Sequence, residues 1–426
     1  MYKWWFSLGY FLLIFYPLVG QSEWGKIGKF GSAVKIEPVL SFQFWSTYTQ
    51  GLKVFNSDLN IYEPAENRLN FQFRRGRFGF KGQMSDQFRF TFIGSFDLAG
   101  RDLLSATSGG LNTGSLPGLG LWDAFGEYKL SKKSEVVYLV FGWFRPQFSR
   151  ESMTAVWATS SFEKAMSQNY IRTHLVGIGS GRAAGVNFGG LLKNKKNKIF
   201  GQYNIGLFTP QWLKYSGNSA GFNTSLLKSA RLVYYLGDPE MTKYGISYQT
   251  NYFNKRKGLS LGISYADQGQ TDLFDKNTAF QPDILFNWGS FNLDAEWNFM
   301  QRVSLQQNVR YPEGAGHIRF SNNVQLFGLF LEPTFMFVKY KGGLTIQEQF
   351  LASSISANAG TDENIDFGVN IYFNQNKFKV AFHHTWNRGN MGEGLPGFSQ
   401  NLYFRQNGLG AIKRGNYWGL GINGIF

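Results

Sequence analysis

The feature that most constrains this chain is a strict two-residue alternation of large apolar and polar side chains that recurs almost to its end. Between 86 and 98, Phe88, Phe90, Phe92, Phe96 and Leu98 share one parity and Arg89, Thr91, Ser95 and Asp97 the other. Successive side chains of a strand point to opposite faces, so this run reads as a strand with one greasy and one wet face. Leu40, Phe42 and Phe44 against Ser41 and Gln43 repeat the pattern. The chain has 43 phenylalanines, 18% aromatic residues and 51 glycines, but only 17% charged residues. That excess of aromatic surface suits a barrel whose outer face meets lipid and whose inner face meets water.

Candidate strands fall at 36–48, 68–81, 86–98, 120–130, 135–146, 181–192, 197–208, 228–237, 243–252, 258–267, 279–288, 291–301, 317–331, 333–341, 363–373, 377–387 and 415–426. A single-chain bacterial barrel closes with an even number. Short links (82–85, 131–134, 193–196, 289–290, 374–376) alternate with long ones (49–67, 99–119, 147–180, 209–227, 388–414) if the run 243–252 belongs to an extended periplasmic link. The expectation is therefore an all-β, transmembrane antiparallel β-barrel of 16 strands over 36–426, with 18 as the alternative. Trp143, Trp288, Trp297, Trp386 and Trp418 fall near strand ends, where interface girdles are expected.

Lys3, the apolar stretch Trp4–Val19 and a small residue at Gly20 read as a signal peptide over 1–20. Its 16 apolar residues fall short of the roughly 20 that span a bilayer. Residues 21–35 would form an N-terminal periplasmic segment. Trp418, Leu420, Ile422 and Phe426 put an aromatic terminus on an amphipathic last strand, as an assembly signal for the barrel-assembly machinery would. These features place the chain in the outer membrane of a Gram-negative bacterium. The absence of cysteine excludes disulfides, thiolate metal sites and a lipoprotein anchor.

Forty-three Lys and Arg against 28 Asp and Glu leave a formal charge of +15. On an exported barrel this surplus points to small anions, or to lipopolysaccharide at the rim beside the membrane lipid, rather than to nucleic acid. Anion pathways need fixed cations on the wet face. The second strand changes apolar parity between Phe73 and Phe78, and a bulge at Arg75 and Gly76 would turn Arg74, Arg77 and Lys81 inward. Arg89, Lys129, Arg145, Arg182 and Arg231 are further inward candidates, and the long loop 147–180 adds Arg150, Lys164 and Arg172. That loop has a possible helical patch at Ser161–Met166 and either folds into the lumen or remains a surface loop or oligomer latch. His383 and His384 point to opposite sides of a strand and cannot simply share a metal. No spacing nominates a catalytic nucleophile, so no enzyme and no cofactor is expected.

Arg74, Arg75, Gly76, Arg77, Phe78, Gly79; Asp123 through Lys129; and Phe141 through Ser149 with Glu151 resemble the phosphate-selective porin O and P family. So do Gly181, Arg182, Gly185, Val186; Trp288, Gly289 and Phe291–Glu296; and Phe367–Phe373. The resemblance implies a 16-stranded homotrimeric porin whose third extracellular loop folds inward, with an arginine ladder leading anions, possibly phosphate, to a basic constriction. The family's lysine-rich constriction has only Lys164, Arg150 and Arg172 to match it here. The alternative reading is a plugged barrel acting as scaffold or partner-binding subunit of an envelope complex.

Overall fold

A computed structural model describes residues 34–426, apart from 103–117, 342–360, 389–411 and scattered positions in other loops. The regions assigned to the signal peptide and most of 21–35 lie outside the described residues. Sixteen antiparallel strands make up the wall: β1 (Lys35–Gln50), β2 (Arg68–Gln83), β3 (Phe88–Ala99), β4 (Gly118–Lys129), β5 (Tyr138–Phe144), β6 (Ala183–Lys193), β7 (Ile199–Thr209) and β8 (Leu227–Gly237). The second half comprises β9 (Gly258–Gln268), β10 (Lys276–Trp288), β11 (Phe291–Val303), β12 (Arg310–Asn322), β13 (Leu329–Lys341), β14 (Thr361–Tyr372), β15 (Phe378–Arg388) and β16 (Asn416–Ile425). Each strand pairs with its sequence neighbours, and β1 closes the ring against β16, from Ser41 opposite Ile425 to Gln50 opposite Asn416. Closure leaves no open edge, which is what lets strands cross hydrocarbon with every backbone group paired.

Alternation delivers the two faces. Leu69, Phe71, Phe92, Ile205, Ile263, Phe299 and Phe382 all point outward and are exposed, while most of their neighbours in sequence turn inward and are buried. The run 243–252 is not a wall strand but part of the link between β8 and β9, as the alternation of links required. The run 317–331 is corrected: Phe327 and Gly328 take left-handed φ of 50° and 80°, and the chain turns there between β12 and β13. Trp288, Trp386 and Trp418 stand exposed near strand ends. Trp297 does not; it lies mid-strand, its ring over Gly314 and Gly316, where a Cβ would collide with it.

The inside is only partly hollow. The loop between β5 and β6 carries α1 (Arg150–Met153) and α2 (Ser167–Val176), and both are buried within the barrel. The expected helical patch at 161–166 is displaced: those residues are bends between the two helices. Met166, Tyr170, Ile171, Leu175 and Val176 join Ala266, Ala279, Met300, Ala315, Met336 and Tyr340 of the far wall in one apolar cluster. Tyr170 stacks on Tyr340 with ring centroids 3.9 Å apart. On the opposite flank Phe162 stacks on Trp45 at 4.3 Å. The loop thus packs against β7–β13 as a core would, and the remaining space lies along β1–β5.

Candidate functional site: a basic cavity between the wall and the inward loop

Two bulges shape this side of the wall. Gln43 pairs with Arg75 while the next residue, Phe44, pairs with Phe73, so Arg74 is the extra residue of β2. The bulge sits one residue earlier than expected, and it turns Arg74, Arg75 and Arg77 all inward and buries them. Only this placement spares every one of the three guanidiniums from hydrocarbon. In β4, Ile93 pairs with Asp123 and Gly94 with Leu121, leaving Trp122 as the extra residue beside Asp123.

Between these bulged strands and the inward loop lies a cavity of about 890 Å³. It runs from Lys35 and Gln83 at the turn-side rim to Asp97 and Ser180 beneath the long loops. Nine basic side chains line it (Lys35, Arg74, Arg75, Arg77, Lys81, Arg89, Arg145, Lys164, Arg172) against four acidic ones (Glu37, Asp97, Asp123, Glu127). The lining is therefore net positive.

Several of these charges are answered by carboxylates of the wall and the loop. Arg74 and Arg75 both bond Glu163 of the loop, at 2.8 and 2.7 Å. Burial opposes ionisation of Glu163, yet Arg75 and Arg74 hold its carboxyl below the usual range. Arg77 pairs with Asp97 and lays its guanidinium on Trp122, 3.7 Å from the ring centroid. Arg89 pairs with Glu127 at 3.2 Å.

Others converge on a backbone carbonyl. The carbonyl of Ser152 accepts from Arg145, from Lys164 Nζ at 3.2 Å and from Arg172 Nη2 at 2.9 Å. Lys164 donates also to Thr154 O at 2.7 Å. Among the described residues, neither Arg145 nor Lys164 enters an ion pair. Burial and neighbouring Arg172 push the Lys164 ammonium well below its ordinary pKa, and burial with Arg182 pushes Arg145 down to about 9. An arginine does not readily lose its proton, so Arg145 stays charged in this buried setting.

The remaining sequence candidates sit elsewhere. Arg182 pairs with Asp123 at 3.0 Å and also stacks on the Trp122 ring, 3.6 Å from its centroid, outside the cavity lining. Lys129 is corrected to a rim ion pair with Glu135 at 2.6 Å. Arg150 and Arg231 are corrected to the packed half of the lumen. Arg150 chelates Glu240 and also bonds Asp283, and Arg231 bonds Asp283 as well. Those carboxylates lie more than fifty residues away from their arginines in sequence, so nothing local announced them. Arg75, missed as a lumen residue, was recoverable from the cost of turning any of three adjacent cations to lipid.

Glu151, Asp294 and His317 bring ligand atoms within 4.8 Å of one another. Arg319 bonds both acids, at 2.8 and 3.0 Å, so the group is a charge network tying the loop to β11 and β12. His383 faces inward to Asp366 at 2.8 Å, and His384 faces outward among Phe367, Trp386 and Trp418.

A closed 16-stranded barrel with a loop folded into a charged lumen is the architecture of an outer-membrane porin, a class of channels rather than enzymes. In agreement, the model of the family described as phosphate-selective porin O and P matches residues 47–227, from the upper part of β1 to the start of β8. Solved structures share the fold. The outer membrane channel DcaP of Acinetobacter baumannii matches with a TM-score of 0.54 at 11% identity, over 94% of this chain and 99% of its own. OmpF of Salmonella typhi, solved as a complex with daunomycin, gives 0.55 at 11% identity over 94% and 100%. OprB of Pseudomonas putida at high pH gives 0.53 at 8% identity over 92% and 94%. No curated protein matches in sequence. The chain has the fold of an outer-membrane porin, and its stretch from the last residues of β1 to the start of β8 is similar to the O and P family.

Proposed function

We propose that this barrel passes small anions by passive diffusion along the eccentric cavity between β1–β5 and the inward loop. The observation that carries the reading is the convergence of Arg145, Lys164 and Arg172 on the single neutral carbonyl of Ser152. Three cations around one uncharged oxygen make a well of positive potential that an anion entering the cavity would relieve. The guanidinium forks of Arg145 and Arg172 suit a tetrahedral oxyanion such as phosphate. The paired arginines Arg74, Arg75 and Arg77 continue the positive wall, with their charge moderated by Glu163 and Asp97. Moderation matters, because a conducting site must release what it binds.

Single-channel recording in a planar bilayer, with chloride and phosphate compared, tests the reading. A stable open conductance with anion preference is expected; cation preference overturns it. The same reading includes a homotrimer, contact with lipopolysaccharide at the rim, and an assembly role for the terminal strand. In that strand Trp418, Leu420 and Ile422 face outward and Phe426 stacks on Phe42 at 5.8 Å. Cross-linking in native membranes gives the subunit number.

The packed half of the lumen favours a second reading, a plugged scaffold. Absent conductance together with a co-purifying partner would decide for it.

A further inference from the structure

One link on the turn side is far longer than joining two neighbouring strands requires. The other six span between two and eight residues, whereas 238–257 separates β8 from β9 by 20. It does not hang below the barrel but rises into it. Tyr244 and Tyr248 are buried, and the Tyr244 ring stacks on Tyr138 at 4.9 Å. Its hydroxyl donates to Asn204 Oδ1 at 2.5 Å and accepts from Asn187 Nδ2 at 3.1 Å.

Inside, the link meets the inward loop edge to edge. Ala155 N–H donates to Tyr248 O at 3.4 Å and Thr250 N–H donates to Ala158 O at 3.2 Å. Glu240 takes both terminal nitrogens of Arg150 at 2.8 Å. Two segments entering from opposite ends of the barrel are thus joined by backbone pairing and a chelated ion pair. Together they make one wall of the cavity, to which the link gives Tyr244, Gly245, Ile246 and Ser247.

Gly245 stands out among these. Its φ lies outside the left-handed region, so the backbone does not demand glycine. A Cβ built there meets nothing within 4 Å. The missing side chain is therefore open space on the cavity side. Next to it the Tyr244 carbonyl accepts from Arg89 Nη2 at 3.3 Å, which brings the link up against the basic wall across the cavity.

We propose that 243–250 is a second constriction, inserted from the periplasmic side, and that the residue at 245 sets its width. The proposal rests on reading the cavity as a solute conduit and deepens it. Cut-off would then be a joint property of the loop and the link, while the charge preference would stay with Arg74, Arg75 and Arg77 of the barrel wall and with the Arg145, Lys164 and Arg172 cluster.

The chain has no cysteine, so Gly245→Cys introduces a unique thiol. Single-channel conductance is recorded for wild type, Gly245→Trp, and Gly245→Cys before and after an anionic methanethiosulfonate, with Asn254→Cys on the exposed turn of the same link as control. Folding is verified by heat-modifiable electrophoretic mobility. Gly245→Trp and the modified Gly245→Cys are expected to lose about two-fold or more of the conductance, as a narrowed pore should. Reduction should restore the latter, and Asn254→Cys should not respond.

Wild-type conductance in folded Gly245→Trp or in modified Gly245→Cys overturns the constriction and leaves the anion reading standing. A cation-preferring wild type whose current still falls with Gly245→Trp overturns the anion reading and leaves the constriction. If the wild type is silent, a variant with 243–250 replaced by a short Gly-Ser turn must conduct; silence there too overturns the constriction.

Discussion

At the residue scale the cations of the lumen fall into two kinds, and they should behave differently when removed. Arg77 is answered by Asp97, so Arg77→Gln both removes a cation and leaves that carboxylate uncompensated in the cavity, and both changes act against anions. Among the described residues, the side-chain hydrogen bonds of Arg145 and Lys164 go to backbone carbonyls. A unit charge some way from a passing ion is worth roughly 1 kcal/mol at an effective dielectric near that of a protein surface, about five-fold in permeability ratio. Reversal potentials in a salt gradient should therefore show Arg145→Gln or Lys164→Gln lowering anion preference by about that factor. Glu163→Gln should raise it, since Arg74 and Arg75 lose their counter-charge.

A pH dependence follows from the same cluster. Burial and Arg172 depress the Lys164 pKa, so Lys164 carries charge below that depressed value and sheds it as pH rises through it. Glu151 and Glu163 remain ionised, because despite burial Arg319 and the pair Arg75 and Arg74 hold them down. Anion preference should accordingly increase as pH is lowered, and Lys164→Gln should flatten that slope. A slope unchanged in Lys164→Gln would place the titration elsewhere.

At the scale of elements, the barrel builds its site by breaking its own regularity. A regular strand sends only alternate residues inward, and the bulges at Arg74 and Trp122 let two consecutive residues do so in each of two strands. The inward loop and the long link are then held by shared acceptors. The carboxylate of Glu332 takes bonds from Ser160 of the loop at 2.8 Å and Asn251 of the link at 2.9 Å. It also takes Ser321 at 2.7 Å, Asn370 at 3.3 Å and Tyr372 at 2.5 Å from the wall. Glu332→Ala would strand these donors in a buried site, at a cost of roughly 3 kcal/mol. Denaturant unfolding of the purified barrel should show that loss, and the link should become more sensitive to protease.

At the scale of the whole molecule, two solvents decide where each residue goes. The outer belt is free to be greasy because lipid covers it, and a charge there is penalised with depth. Ile263 stands outward at the middle of β9, so Ile263→Arg should destabilise the barrel in vesicles by about 2–4 kcal/mol. The inner face splits into a packed half, sealed by the Tyr170 and Met336 cluster, and a wet half carrying the basic cavity. A solute would cross such a barrel off its axis.

Sequence by itself determined the wall. Period-two alternation is local and nominated seventeen runs, and the alternation of short and long links, which needs no knowledge of contacts, put 243–252 outside the wall. The basic stretch from Arg74 to Lys81 was also readable, because lipid forbids outward guanidiniums whatever the rest of the chain does. Only the tertiary structure decided which carboxylate answers which cation. Arg74 finds Glu163, Arg150 finds Asp283 and Arg319 finds Glu151 across 89, 133 and 168 residues. Such pairings depend on ring closure and on how two segments pack inside it, and Coulomb's law acts through space with no trace in sequence spacing.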